Sequence, residues 1–427
     1  MVFSLAGRQR WLFPATLILF AGLYLLVAGV EFAAARLAAR ADLADLQRAA
    51  RLSPGNADYR DRLGRYFTFA APNPPAALVH IQSAVRLNPH QASYWLDLAS
   101  AQQVAGNPAR QLEAVQGALR AEPTAPHVAW EAANFFLVAG DQESALREFR
   151  VVIENDVQEI DYGLTGTALQ YCWRVRPDVD ALLRDVVPPR PDALIAFLTL
   201  LMSKNEIEGT IKTWNRLVQL HEKFRSRDLF EYVHYLIAVH RPDAAMAAWE
   251  QAAGLFDLSG YLPTRDNLVV NPDFSLDILN AGFDWTYVNR TGVRPLLDAT
   301  VFRAGRRSLS ITFEGPGIYD AGIQQLIPVR GGATYDFSAY YRSAEFEGAG
   351  GPQIVLRDAY SGVSLFASDP LTDADFWKEV QSEITVPDST TLLALNIERF
   401  PAGSPIRGKL WLDSFELSPA TAAKESP

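Results

Sequence analysis

Apolar side chains recur every 34 residues between positions 78 and 153, and this repetition constrains the fold more than any other feature of the chain. The recurring sets are Leu78, Leu112 and Leu146; Ile81, Val115 and Phe149; and Val85, Leu119 and Ile153. Within each copy the offsets of three, four and seven residues place the three side chains on one face of a helix. The chain therefore repeats one helical unit.

The turns between these helices repeat with the same spacing. The pairs are Gly106-Asn107 with Gly140-Asp141, and Asn88-Pro89 with Glu122-Pro123. Each pair marks the end of a helix, because Gly and Pro at these places stop helical hydrogen bonding. A helix-turn-helix period of 34 residues resembles the tetratricopeptide repeat. The resemblance predicts such repeats over residues 36–160.

A weaker helical pattern continues beyond this region. Trp214 and Trp249 lie 35 residues apart and follow comparable turns, and Pro188-Pro189-Arg190-Pro191 marks a break between units. The pattern predicts divergent helical repeats over residues 161–262.

Stacked repeats bury their apolar faces against one another and leave an extended concave surface. Repeats of this family commonly hold partner proteins. Tyr94 and Asn134 lie on first helices of two successive repeats. The resemblance therefore implies that these two side chains line a groove that binds a protein partner.

The segment from Trp11 to Val30 contains no charged residue. Twenty residues of helix span about 30 Å, the thickness of the hydrocarbon core of a bilayer. We predict an uncleaved single-pass anchor over residues 1–35, with a short cytoplasmic tip. The alternative is a signal peptide cleaved after Ala35, because Ala33-Ala34-Ala35 fits the small-residue cleavage pattern.

Orientation depends on the charges that flank this span. Arg8 and Arg10 precede it, whereas Arg36, Arg40, Arg48 and Arg51 follow it, so charge counting alone is nearly balanced. Long following domains are translocated with little regard to their charge. We therefore expect an inner-membrane protein whose bulk is periplasmic.

The pattern of residue types changes after Pro263. Short runs of β-branched and aromatic residues alternate with polar ones and are separated by Gly, Pro and Asp, as in Thr334 to Tyr341 and Leu392 to Ile397. This pattern predicts an antiparallel β-sandwich over residues 263–418, followed by a flexible tail at 419–427. The predicted fold class is thus multidomain α + β, with a transmembrane helix, a helical solenoid and a sandwich.

The order of landmarks in the sandwich is also distinctive. The segments are Asn267 to Phe274, Gly282 to Trp285, Gly332 to Tyr340 and Leu410 to Leu417. Together they resemble the galactose-binding-like jelly roll of many carbohydrate-binding modules. Such modules stack sugar rings on exposed aromatic side chains and bind hydroxyl groups through polar ones. The resemblance implies a glycan site with Tyr319, Tyr341, Tyr360 and Arg399, whereas Trp285 is expected in the core.

Members of this family often hold a structural calcium ion. Its ligands include an acidic residue just after the opening Phe and the Asp of the last strand. Asp413 matches the second position, whereas Ser275 stands at the first. The resemblance thus implies Asp413 as a calcium ligand, and we expect no other cofactor.

Charge limits the partners of the chain. Its formal net charge of −10 argues against nucleic acid, because nucleic-acid binders concentrate basic residues. Residues 268–418 contain 19 acidic and 12 basic residues, so an acidic polysaccharide would be repelled at long range. A neutral glycan fits this domain better.

No common catalytic motif is present. The sequence has no Gly-x-Ser-x-Gly elbow, phosphate-binding loop or HExxH motif, and its six histidines lie scattered through the helical region. Cys172, the only cysteine, lies between Tyr171 and Trp173 in an apolar stretch, where a buried inert thiol is expected. We therefore expect no enzymatic activity.

These features together suggest a membrane-anchored scaffold of the bacterial envelope, linked to the assembly or export of a surface polysaccharide. The repeats would bind a protein partner and the sandwich a neutral polysaccharide. The alternative is a structural or chaperone-like adaptor whose sandwich binds no sugar.

Overall fold

Helices precede strands along the chain. The computed structural model describes residues 9–40, 42–156, 163–372 and 374–420. The predicted cytoplasmic tip before residue 9 and residues 421–427 of the predicted tail lie outside the described residues. The chain forms two compact units, Met1–Pro188 and Pro189–Pro427, and each is described by itself.

Ten α-helices are described in the N-terminal unit. They are α1 Gln9–Ala38, α2 Leu43–Leu52, α3 Ala57–Arg65, α4 Pro74–Leu87, α5 Ala92–Val104, α6 Pro108–Ala121, α7 Pro126–Val138, α8 Gln142–Asn155, α9 Gly163–Val175 and α10 Val179–Asp185. A π-helical turn, Tyr66–Ala70, extends α3. The starts of α5 and α7, and those of α6 and α8, are 34 residues apart, which confirms the repeat period predicted from the sequence.

The repeated residues build the core of this unit. Ile81, Val115 and Phe149, one from each second helix, are all buried. Gly106 and Gly140 have positive φ angles of 73° and 78° in equivalent turns. Glycine is the residue that adopts this left-handed conformation at no steric cost, so the recurring glycines end α5 and α7.

Helix α1 belongs to two environments. Its stretch Pro14–Ala38 is the one described helix that is long and apolar enough to cross a membrane. Yet Ala34 and Ala38, near its end, are buried against Leu46, Ala49 and Leu63 of α2 and α3. Cleavage after Ala35, the alternative weighed above, would cut this helix inside the helical core.

The C-terminal unit begins with two helical hairpins. Its helices are α11 Pro191–Ser203, α12 Ile207–Gln219, α13 Ser226–Ala238 and α14 Pro242–Phe256. Trp214 of α12 stacks on Tyr232 of α13 with ring centroids 4.8 Å apart. Trp249 of α14 is fully buried, and its indole Nε1 donates a hydrogen bond to the carbonyl of Tyr261 at 2.9 Å.

Ten strands then form two antiparallel five-stranded sheets. The strands are β1 Thr286–Tyr287, β2 Val293–Asp298, β3 Ser308–Gly317, β4 Asp320–Pro328, β5 Thr334–Glu347, β6 Gly351–Asp358, β7 Ser364–Ala367, β8 Lys378–Thr385, β9 Leu392–Phe400 and β10 Pro405–Pro419. The first sheet has the order β1-β4-β9-β6-β7 and the second has the order β2-β3-β10-β5-β8. Helices followed by an antiparallel sandwich confirm the predicted fold class.

The sandwich core lies between the two sheets. Every second residue of β4 is buried, and the same alternation runs through most of β5. An aromatic cluster closes one part of this core, with Trp285 at 5.0 Å from both Phe274 and Phe415. Trp285 is therefore a core residue, as predicted.

Helices and sandwich pack together within the C-terminal unit. The Trp249 ring lies edge-on to Phe283 at 6.3 Å, and Gly282 is so close to this ring that a Cβ atom would overlap it. Tyr360, in the β6–β7 turn, stacks on His240 at 4.0 Å. The helical and sandwich parts predicted on either side of residue 263 thus share buried contacts.

Candidate functional site

A groove of about 1180 Å³ runs across the first helices of the N-terminal repeats. We call it the groove. The side chains that characterise it are Leu96 and Gln103 of α5, Leu112 of α6, and Trp130, Asn134 and Val138 of α7. Its lining is mainly apolar, which is unusual for a surface that faces water.

Two apolar side chains of α7 are the features of the groove that most favour binding of a partner. Trp130 is held edge-on against Phe149 and Tyr171, both at 5.7 Å, so its ring has a fixed position. Val138 is 84% exposed at the end of α7. A fixed aromatic ring and an exposed aliphatic side chain on the same groove can contact a partner at little cost in conformational entropy.

The two predicted groove residues have different positions. Asn134 lines the groove, and its side-chain amide donates a hydrogen bond to the carbonyl of Trp130 at 2.9 Å. Tyr94 is half-buried outside the set of lining residues, near Asp58 and Asp61. The structure therefore brings Asn134, rather than Tyr94, together with Trp130 and Val138.

A pair of carboxyl groups lies at the α3 end of the groove. Asp97 lines the groove beside Arg65, whose Nε is 3.7 Å from Asp97 Oδ1. Asp61, on α3, is only 4% exposed and hydrogen-bonds to Asp97 of α5. Burial, together with the Asp97 charge, raises the pKa of Asp61 to about 8. Because two carboxylates cannot hydrogen-bond without a proton, Asp61 is held in its neutral form near pH 7.

The four predicted glycan residues of the sandwich do not form one site, although the backbone N–H of Arg399 donates to the carbonyl of Tyr319 at 2.9 Å. Tyr319 is 74% exposed in the turn between β3 and β4. Tyr341 is part of the core between the sheets. The Tyr360 hydroxyl donates to the carbonyl of Ile237 in α13 at 3.1 Å. Arg399 is buried, and its guanidinium donates to backbone carbonyls, including that of Ala349 at 2.6 Å.

Polar side chains on the outer face of the first sheet lie near Tyr319. Gln324 of β4 hydrogen-bonds to Asn396 of β9 at 3.0 Å, and Arg357 of β6 forms two 2.7 Å bonds with Glu398 of β9. We call Tyr319 and these four residues the first-sheet face. Sequence reasoning missed the four, although Asn396 and Glu398 interrupt an apolar strand at alternate positions, which is the signal of an outer face.

The first-sheet face is open at one end and covered at the other. The end near Tyr319 carries the exposed Phe400, two residues after Glu398. At this end Asp320 of β4 lies opposite Glu398 of β9 in the strand register. At the other end of the sheet Asp358 of β6 lies opposite Leu393 of β9 in the strand register, and the adjoining turn contacts α13 through Tyr360. A ligand thus has access from the end that carries Tyr319 and Phe400.

Asp413, the calcium ligand that the resemblance implies, lies among hydrogen-bond donors. It is fully buried, and its Oδ2 accepts hydrogen bonds from the backbone N–H groups of Arg303 at 2.6 Å and Ala304 at 3.2 Å. Its Oδ1 accepts from the Ser414 hydroxyl. Calcium requires six to eight oxygen ligands. Within the described part of the chain, no three acidic, histidine or cysteine side chains are grouped to hold a metal ion. Both oxygens of the Asp413 carboxylate thus accept hydrogen bonds.

Cys172 is buried in α9. Burial raises the pKa of its thiol to about 12, so the reactive thiolate is not formed near neutral pH. This agrees with the expectation of an inert core residue.

No family model matches the sequence, and no curated protein matches it. Solved structures with both kinds of fold are similar to parts of the chain. A CBM22 xylan-binding domain from Paenibacillus barcinonensis is 20% identical, covering 38% of this chain and 99% of the domain, with a TM-score of 0.25. Its match concerns the fold of one part of the chain.

Two structures with helical repeats are also similar. PilF of Pseudomonas aeruginosa is 16% identical, covering 48% of this chain and 93% of that chain, with a TM-score of 0.22. PilW, a type IV pilus biogenesis factor, is 16% identical, covering 48% of this chain and 94% of that chain, with a TM-score of 0.25. All three TM-scores are below 0.5, and the fold assignment rests on the helices and strands described above.

Proposed function

We propose that this protein is a non-enzymatic, membrane-anchored scaffold of the bacterial envelope that holds a partner protein in the groove. One observation carries the proposal: a large apolar groove that combines the fixed Trp130 ring with the exposed Val138. Apolar surface of this extent is stabilised when a partner covers it. The inert Cys172 supports the non-enzymatic part of the proposal.

Site-specific photocrosslinking tests the groove. We expect a photoreactive amino acid at Val138 to give one discrete adduct in native membranes, because this side chain would be buried against the partner. The same amino acid at Val79 is the matched control, since Val79 is also an exposed valine but lies on α4, a second helix outside the groove. Equal adduct patterns at the two positions would contradict the proposal.

The anchor places this scaffold at the membrane. We infer a single-pass inner-membrane protein with its bulk in the periplasm, supported by the apolar α1 and by the long domains that follow it. A role in assembling or exporting a surface polysaccharide is supported by the combination of anchor, groove and first-sheet face on one chain.

A second activity, binding of a neutral glycan, is favoured by the first-sheet face. Tyr319 offers an exposed ring for stacking, and Gln324 and Asn396 offer amide groups for hydroxyls. The charges of Arg357 and Glu398 neutralise each other. A face of this kind favours an uncharged ligand. Tyr341 and Arg399 are buried and Tyr360 is half-buried against α13, so these three side chains have no part in this proposed site.

Replacing Tyr319 by alanine is expected to weaken glycan binding about fivefold, because one stacking contact contributes about 1 kcal/mol. The measurement is titration calorimetry of the full chain in detergent against a panel of neutral polysaccharides, and binding should persist in high salt. Phe376→Ala is the control, since Phe376 is equally exposed but lies in the loop before β8. Binding that salt abolishes would overturn the proposed stacking mode, and if no neutral glycan binds, the adaptor without sugar binding is the correct alternative.

A further inference from the structure

The end of α1 fixes how close the helical repeats lie to a membrane. Glu31 ends the uncharged stretch, and Ala34, three residues later, is already buried in the repeat core. Three residues of helix rise about 5 Å. In addition, the Arg62 guanidinium donates to the carbonyl of Ala38 at 2.8 Å. There is therefore no flexible linker between the apolar stretch and the first packed helices.

Helix α2 returns toward the same membrane level. Only residues 39–42 separate it from α1, and the buried residues of the two helices share one cluster, so they form an antiparallel hairpin. With 10 residues, α2 descends about 14 Å beside α1. Its last residues, Arg51 and Leu52, thereby come to about the level of Glu31. Both are exposed.

Charge at this end is opposite to that of the chain as a whole. Residues 36–65 contain seven arginines and four aspartates, with no lysine or glutamate, whereas the whole chain has a net charge of −10. Arg36, Arg48 and Arg51 are all exposed. Arg48 and Arg40 share one carboxylate, that of Asp45, which leaves a net positive charge there. Basic side chains beside a membrane span are attracted by anionic lipid headgroups.

We propose that the membrane-facing end of the α1–α2 hairpin docks on anionic lipid headgroups through Arg36, Arg48 and Arg51, with Leu52 entering the interface. The proposal rests on the membrane anchor proposed above, and it applies to either orientation of the span. Docking would hold the helical repeats at a fixed height and angle above the bilayer, because α1 enters their core without a break.

The test places a fluorophore between α2 and α3, next to the membrane-facing end of the hairpin. The full chain carries Cys172→Ser, which removes its buried thiol, and Gly55→Cys, a position where a Cβ meets no atom within 4 Å. The labelled protein is reconstituted in nanodiscs of phosphatidylcholine alone or with about one third phosphatidylglycerol. A quencher attached to lipid headgroups then reports how close residue 55 lies to the membrane surface.

We expect quenching to be about twofold stronger in discs that contain phosphatidylglycerol, and to fall to the phosphatidylcholine level in about 0.5 M salt. The triple variant R36Q/R48Q/R51Q should lose the dependence on phosphatidylglycerol while still eluting with the discs. The matched triple R110Q/R120Q/R147Q removes three exposed arginines elsewhere in the unit. Its quenching should still depend on phosphatidylglycerol.

Several outcomes would overturn the proposal. Equal quenching in both lipids, or an equal loss in the two triple variants, would show that the hairpin does not recognise anionic lipid. If inorganic phosphate produced the same change in fluorescence in phosphatidylcholine discs, the arginines would form an anion site rather than a membrane contact. Failure of the unmodified chain to elute with discs would refute the anchor itself, which is a different result from anchored protein without lipid dependence.

Discussion

Replacing Trp249 by alanine is expected to lower the free energy of unfolding of the C-terminal unit by about 4 kcal/mol. Trp249 is fully buried, its ring contacts Phe283 and covers Gly282, and its Nε1 bonds to the Tyr261 carbonyl. The substitution leaves a cavity between α14 and the sandwich and an unpaired carbonyl. Truncation of a buried Trp typically costs about 3–5 kcal/mol. Denaturant unfolding of the full chain, followed by hydrogen exchange, measures this loss.

Trp214→Ala is the matched control for this substitution. Trp214 is equally buried, but it stacks on Tyr232 and lies edge-on to Phe224, away from the sandwich. Both variants should be destabilised, whereas only Trp249→Ala should raise hydrogen exchange at Gly282 and Phe283. If neither residue exchanged faster in Trp249→Ala, the helices and the sandwich would not stabilise each other as their contacts indicate.

Asp61→Asn is expected to stabilise the N-terminal unit at neutral pH. The native state keeps the Asp61 proton up to about pH 8, whereas the ordinary pKa of this group is 3.8. Between these values the native state binds more protons than the unfolded chain, so the stability of the wild type falls as pH rises. At pH 7 the cost of keeping this carboxyl neutral reaches about 4 kcal/mol. An asparagine amide can donate to Asp97 without this cost.

Unfolding of both proteins is measured between pH 4.5 and pH 8.5. The gain from Asp61→Asn should be about 1 kcal/mol at the acidic end and should grow to about 4–5 kcal/mol near pH 8. Asp58→Asn is the control, because Asp58 lies on the same helix but is exposed. A gain that does not change with pH, or an equal gain in Asp58→Asn, would contradict a proton held between Asp61 and Asp97.

Secondary structure was largely predictable because it depends on local periodicity. The 34-residue spacing located α4 to α8, and period-two alternation located most of β3, β5, β6 and β9. The same alternation also indicates that Tyr341 faces inward, since it is in phase with the buried Phe337 and Ala339. The direction of the Tyr341 side chain therefore depends on local sequence alone.

The candidate sites were less predictable because exposure depends on distant residues. Tyr360 lies in a turn, where an aromatic residue is usually open to solvent, but α13 and His240 cover it from more than 100 residues away. Arg399 is enclosed by the β9–β10 turn and the carbonyl of Ala349. Asp61 and Asp97 lie in different repeats, and only the packing of α3 near α5 joins them.

The sequence by itself determined the apolar span, the repeated helical unit, the change to alternating strands and the acidic balance of the sandwich. Each of these follows from spacing or composition within a short stretch of chain. Tertiary structure decided which surfaces stayed open, namely the groove beside Trp130 and Val138 and the first-sheet face beside Tyr319. It did so because a side chain is exposed or buried according to the elements that pack over it, and those elements come from remote parts of the chain.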